Sequence, residues 1–251
     1  MRTELVVIPV GPDRSANLSA VEDAIKSSAL RHADLVLFPE AALTGLVNDD
    51  CPEHDLPLGE SIPGATIDRI ARCIEQARVW CGIGLLERDG TRLYDSALLF
   101  TPEGRIALHY RRITPGWHGN DANPASYASG DTIPTTTTPW GRVAFLLCGD
   151  LFDDRLIDQA RALELDLLLV PFARCFSGGG VDQRRWDTEE LPTYCEQVRR
   201  AHVTTLLVNY LTLPDLVDDG SFGGAFAISP TGVVIGALPL GQPGSLIVEL
   251  A

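Results

Sequence analysis

Residues 142–154 read Arg142-Val-Ala-Phe-Leu-Leu-Cys148-Gly-Asp-Leu-Phe-Asp-Asp154. A buried-type apolar run stops abruptly at a cysteine, and a helix with Asp153 or Asp154 as its N-cap is predicted to start a few residues later. A side chain at such a strand-to-helix turn is presented outward, with backbone N–H groups nearby to receive an oxyanion. A helix N-terminus also favours thiolate over thiol. Cys148 is therefore a candidate nucleophile. The alternative is a free cysteine that simply ends a buried strand, as free cysteines often do.

Two other apolar runs end in the same way. Leu35-Val-Leu-Phe-Pro39-Glu40 closes on a carboxylate and is followed by Ala41-Ala-Leu-Thr-Gly45. A glutamate held at an apolar strand end is partly desolvated, which moves its pKa toward the range of a general base. A solvated strand-end glutamate is the commoner case. The run Ile106-Ala-Leu-His-Tyr110-Arg111-Arg112-Ile-Thr-Pro115-Gly116 ends in two cations, and arginines at such a junction usually face solvent.

Outward from these segments, short apolar runs alternate with amphipathic ones. Residues 4–10 and 34–38 are predicted strands. Between them, 17–32 reads as a helix with Leu18, Val21, Ile25 and Leu30 on one face. A second helix is predicted over 65–79, followed by strands Trp80–Glu87, Asp95–Thr101 and Arg105–Arg111. Their connections, Arg88-Asp89-Gly90 and Pro102-Glu103-Gly104, are turn signals that make this stretch antiparallel. Residues 113–140 are rich in Gly, Pro, Asn, Asp and Thr without a period; so long a loop is more often functional than idle. An α/β pattern then resumes: strand 142–147, helix 153–163, strand 166–171, helix 186–203 and strand 205–210. A hairpin over 224–237 turns on Ser229-Pro230-Thr231-Gly232. No linker or repeat interrupts the chain, so a single domain over 1–251 is expected. Mixed strands with two pairs of helices predict a sheet-on-sheet core covered by helices. Composition alone does not separate this from an open doubly wound sheet.

The chain has 251 residues, 45% hydrophobic and 22% charged, with a formal net charge of −14. Such a field repels phosphate backbones and anionic membranes, so nucleic acid is excluded as the expected partner. No apolar run is long enough to span a bilayer, and the N-terminus lacks the features of a secretory signal; a cytoplasmic location is expected. Six scattered cysteines do not form a disulfide framework. The one close Cys/His pairing, Cys51 with His54, lacks a second pair, so no structural metal site is expected.

Phe38-Pro39-Glu40, Tyr110-Arg111-Arg112 and Cys148-Gly149-Asp150, in this order, resemble the three signature segments of the nitrilase superfamily, the carbon–nitrogen hydrolases. Tyr127-Ala-Ser-Gly130-Asp131, Asp166-Leu-Leu-Leu-Val-Pro171 and the closing hairpin with its Pro-x-Gly turn extend the resemblance over nearly the whole chain. The resemblance implies a four-layer αββα sandwich of mixed sheets that assembles as a homodimer or higher homo-oligomer. It also implies a Glu–Lys–Cys triad acting on a small-molecule amide, carbamoyl or nitrile group, without a cofactor. The thiolate attacks carbon, the glutamate moves protons, and the cation steadies the tetrahedral intermediate before water hydrolyses the thioester.

Carried over residue by residue, the triad is Glu40, Arg112 and Cys148. Arg112 stands where the family has lysine, and the chain's only lysine, Lys26, lies in the first predicted helix. Arginine still donates hydrogen bonds but is planar, bulky and permanently charged. Two further departures are the lack of a glutamate in the loop after Arg112 and Arg200-Ala201-His202-Val203-Thr204 in place of a family RA-x-E-N helix end. The departures leave a catalytically silent binding or scaffold protein, and an acyltransferase using the same cysteine, as alternatives to the hydrolase. By analogy with the family, Trp117, Phe172 and Arg174 are the candidate substrate-binding residues, with Arg174 suited to a substrate carboxylate. His118, beside Trp117, reads as a loop histidine.

Overall fold

A computed structural model describes residues 1–250. The chain opens with β1 (Arg2–Val7), β2 (Pro9–Val10), α1 (Arg14–Leu30) and β3 (Leu35–Leu37). A short helical turn, α2 (Pro52–Asp55), precedes α3 (Ala65–Ala77) and the meander β4 (Trp80–Asp89), β5 (Arg92–Phe100) and β6 (Ile106–Arg111). After the long loop come β7 (Thr136–Thr138), β8 (Gly141–Phe145), α4 (Asp154–Ala162) and β9 (Leu167–Phe172). The remainder is α5 (Gln183–Arg185), α6 (Leu191–Ala201), β10 (Thr204–Asn209), β11 (Leu211–Thr212), β12 (Ala225–Ile228), β13 (Val234–Leu238) and β14 (Gly244–Glu249).

Two six-stranded sheets result, ordered β14-β1-β3-β4-β5-β6 and β13-β12-β10-β9-β8-β7. Each has three adjacent parallel strands flanked by antiparallel ones. A βαβ crossover puts a helix on one sheet face, so these parallel strands must be covered. In β1 the alternation of a half-buried sheet is explicit. Leu5 and Val7 join the core between the sheets, while Val6 and, just past the strand end, Ile8 pack with Val21, Ile25, Ile70 and Ile74 of α1 and α3. The helices α4 and α6 cover the second sheet through Ile157, Ala160, Val198 and Ala201. The architecture is the αββα sandwich.

Three sequence expectations need correction. Leu30 is 82% exposed, and Ser28 takes its place on the buried face of α1, its hydroxyl donating to the Ala24 carbonyl. The predicted strand 4–10 breaks at Ile8, and Pro9–Val10 pairs with β11 in a separate two-stranded sheet. The predicted helix 186–203 begins instead as a π-helical turn, Trp186–Glu190, before α6. Of the two N-caps the sequence offers for α4, Asp153 is the one used, accepting from the N–H groups of Arg155 and Leu156.

Candidate functional site

Glu40, Arg112 and Cys148 sit just beyond the C-terminal ends of β3, β6 and β8, on facing sheets, so the sandwich brings together three segments far apart in sequence. Glu40 is fully buried. The chain carrying it lies over Gly84 of β4, whose N–H donates to the Pro39 carbonyl at 3.0 Å. A side chain at Gly84 would meet Glu40 Cα at 2.6 Å, so glycine is needed for this close approach.

The strand alternation of β6 separates the two arginines. Arg111 lies over the Tyr94 ring at 3.7 Å and pairs with Glu87 on the first sheet. Arg112 turns inward and is only 3% exposed, contrary to the solvent-facing role usual for strand-end arginines. Its Nη1 donates to Glu40 Oε1 at 2.9 Å and to Asp95 Oδ2 at 3.3 Å, and its Nε donates to Thr114 Oγ1 at 3.2 Å. Nη2 makes no hydrogen bond to any described residue; it lies against Gly149, the residue after Cys148.

Cys148 has φ of +43°, a left-handed conformation costly for a residue with a Cβ and typical of positions held in place for function. It opens a 3-10 turn, Cys148–Phe152, that leads into α4. Its Sγ lies 3.5 Å from the Ala173 carbonyl oxygen. Asp150, fully buried, ties this turn to the segment after β6. Its carboxylate accepts from Tyr110 Oη at 2.6 Å, from the N–H groups of Ile113 and Thr114, and from that of Leu147. The segments that carry Arg112 and Cys148 are thereby tied together by one shared carboxylate.

The electrostatics follow from burial. Glu40 is pushed up to about 8, first because burial penalises its charge and next because the negative charge of a Cys148 thiolate adds to that penalty; Arg112 opposes both. Asp95 is raised well above the carboxylate range by burial and by the neighbouring Glu40. Burial alone would lower Arg112, but the charges of Cys148, Glu40, Asp95 and Asp150 outweigh it and hold the guanidinium protonated. Among the described residues no donor reaches the buried Glu40 Oε2 or Asp95 Oδ1, as expected of two carboxyls sharing one cation. Sequence reasoning missed Asp95. The signal was an acidic residue opening an otherwise apolar strand, opposite Arg112 across the β5–β6 hairpin.

A cavity of about 410 Å³ opens beside Cys148 and Gly149. Phe152 and Tyr194 give it apolar walls, while Thr193, Arg174, Glu189 and Glu190 give it polar ones. The glutamates come from the π-helical turn, a device common at functional sites. Neither was foreseen. A larger cavity of about 590 Å³ near His54 and Asp215 contains no cysteine, so the smaller one is the candidate site.

The three substrate-binding candidates fare differently. Arg174 lines the cavity, but Glu190 already engages its Nε and Nη2 at 2.8 and 2.7 Å. Its charge is matched within the protein, which corrects the expectation of a free carboxylate receptor. Phe172 is fully buried against Trp186 and Tyr194 and supports the cavity wall from within. Trp117 lies outside the cavity, in a separate cluster with Leu86, Leu93 and Tyr127 beneath the long loop, because its ring finds apolar cover there. His118 packs edge-on against it.

Among the described residues one group of potential metal ligands stands together, Asp49, His54 and Asp55. The Asp55 carboxylate is already committed to the N–H groups of Asp49 and Asp50 and to the Tyr127 hydroxyl, which makes it a staple for the loops. Cys51 turns its thiol to Glu53 rather than to His54.

The fold matches that of a mutant of the amidase from Nesterenkonia sp. AN1 that carries the acetamide moiety of fluoroacetamide at its active-site cysteine. The TM-score is 0.80 at 21% identity, over 100% of this chain and 90% of that one. In sequence, the chain is 26% identical over 246 residues to an aliphatic nitrilase of Sinorhizobium fredii (strain HH103), covering 90% of this chain and 78% of that protein. It is 25% identical over 249 residues to the omega-amidase NIT2 of Xenopus tropicalis, covering 93% and 83% respectively. The family model "Carbon-nitrogen hydrolase" matches residues 5–251, and the chain belongs to the carbon–nitrogen hydrolase family of enzymes.

Proposed function

We propose that the protein hydrolyses the amide bond of a small, uncharged molecule through a thioester on Cys148. The observation that carries this reading is the placement of Arg112, whose guanidinium touches Glu40 with one terminal nitrogen and lies beside the Cys148–Gly149 segment with the other.

In the first half-reaction Glu40, as carboxylate, takes the Cys148 proton while the sulfur attacks the amide carbon. The C–S bond forms and the carbonyl π pair moves to oxygen, where the unpartnered Nη2 of Arg112 offers its N–H donors. As the oxyanion collapses the C–N bond breaks, and protonated Glu40 returns the proton to the leaving nitrogen. Water then enters, Glu40 removes its proton, hydroxide displaces the thiolate to release a carboxylic acid, and the proton on Glu40 passes to the sulfur to restore the starting thiol and carboxylate. A carboxyl whose pKa sits near 8 can both accept and donate at neutral pH.

The substrate class follows from the cavity. Arg174 and Glu190 neutralise one another, Glu189 pairs with Arg185 at 3.6 Å, and Phe152 and Tyr194 supply apolar contact, so a strongly charged group finds no unmatched partner. We also propose that residues 1–251 act as one catalytic domain, in the cytoplasm, as a homodimer. No helix among the described residues is long and apolar enough to cross a membrane. The test is ammonia release from a panel of short aliphatic and aromatic amides, nitriles and dicarboxylic monoamides. Turnover of neutral amides that vanishes in Cys148→Ala supports the reading; preference for the monoamides, or turnover surviving in that variant, overturns it.

A further inference from the structure

We infer that Gly149 is a positioning residue whose missing side chain is what admits an arginine at position 112. The inference rests on the reading above, in which Arg112 serves the chemistry at Cys148.

A Cβ built on Gly149 would lie 2.6 Å from Arg112 Nη2, with Thr114 Oγ1 at 3.3 Å and Arg112 Cζ at 3.7 Å. The main chain does not call for glycine here, since Gly149 lies in the 3-10 turn and outside the left-handed region. Space is the only demand. The tip of an arginine can often swing away, but this one cannot. Nη1 is held by Glu40 and Asp95, Nε by Thr114, and the side chain is 3% exposed. A Cβ on Gly116 would likewise approach Nη2, to 3.2 Å. The branched guanidinium thus ends in a slot lined by two glycines. A lysine, with one unbranched terminal nitrogen, need not place an atom against residue 149. Gly149 therefore leaves the room that the second terminal nitrogen of Arg112 occupies, and a side chain there would displace the donor Nη2.

The experiment is a four-member cycle: wild type, Gly149→Ala, Arg112→Lys and the double variant. Each is read by kcat and KM on the best amide, by the alkylation rate of Cys148 with iodoacetamide, and by thermal unfolding. In the arginine enzyme Gly149→Ala should lower kcat about 10- to 100-fold with KM little changed, as a displacement of roughly 1 Å does. In the lysine enzyme the same change should alter kcat less than about threefold, and the alkylation rates should show the same coupling. Equal losses in both backgrounds, or no loss in the arginine enzyme, would overturn the inference. Should no member hydrolyse any amide, the proposed function falls, while the alkylation cycle still decides whether Gly149 and Arg112 are coupled. If Gly149→Ala fails to fold, folding of the double variant supports the slot, and its failure to fold refutes it.

Discussion

Replacing Arg112 by methionine keeps most of the side-chain length and removes the only basic group paired with Glu40 and Asp95 among the described residues. Two effects separate by pH. Glu40 is raised from 4.5 to about 8 even with the cation in place, so at about pH 6 it is protonated in both proteins. There the variant loses the hydrogen bonds to Glu40, Asp95 and Thr114 but leaves no additional naked charge, a cost of about 1–3 kcal/mol. Above pH 8 the wild-type carboxyl ionises against Arg112, whereas the variant's must stay protonated or remain unpaired in the interior. A carboxyl whose folded pKa is raised has stability that declines as pH rises toward that pKa, and in the variant this decline continues further. The gap between the two proteins should therefore widen above pH 8 by up to about 1.4 kcal/mol per pH unit, toward the roughly 3–5 kcal/mol typical of a broken buried pair. Catalysis loses the oxyanion donor as well, about 3–4 kcal/mol or two to three decades in kcat/KM. Urea unfolding at about pH 6 and pH 9, with ammonia release on the same samples, measures both. A stability gap that stays constant with pH, or a kcat/KM within threefold of wild type, would refute the reasoning.

Two further outcomes follow from the same geometry. The acid limb of kcat/KM should have an apparent pKa near 8, activity rising with pH as Glu40 loses its proton, and Glu40→Gln should lower turnover by about two to four decades; a limb at pH 4–5 would remove Glu40 as the base. Away from the site, Glu87 is held down to about 2: burial opposes this, but hydrogen bonds from His109, Arg111 and Ser96 outweigh it. Its contribution to stability is present above about pH 4.5 and is lost as pH falls toward 2, so Glu87→Gln should cost about 1–3 kcal/mol at neutral pH and progressively less in acid, read by urea unfolding, with kcat unchanged.

Much of the site was legible because its residues terminate strongly apolar strands. Cys148 and Glu40 stand out where such runs stop, and the antiparallel meander was readable from Arg88-Asp89-Gly90 and Pro102-Glu103-Gly104. Asp95 escaped notice even though the β5–β6 hairpin pairs Ser96 with Arg111, a register that places Asp95 next to Arg112. A carboxylate near the start of a strand reads as solvated until its partner's direction is known. Leu30 illustrates the opposite error: its apolar character suggested a buried position, while the helical spacing of Leu18, Val21 and Ile25 continues to Ser28. The long loop was out of reach for a different reason. Asp50 and Asp55 hold Gly119 and Tyr127 across some seventy residues of sequence, and such pairings leave no local period. Likewise β7, β14 and the β2–β11 pair are short or edge elements whose formation depends on a neighbouring strand, not on their own pattern.

The claim that Cys148 carries the acyl group is tested most directly by intact-mass analysis of the protein mixed with its best amide and quenched in acid. A mass increase equal to the acyl group, located on the peptide containing Cys148, absent from Cys148→Ala and discharged as a hydroxamate by hydroxylamine, is the predicted result. An unmodified mass during steady turnover of wild type and of the slowed Glu40→Gln variant, or an adduct on a different cysteine, would contradict the account.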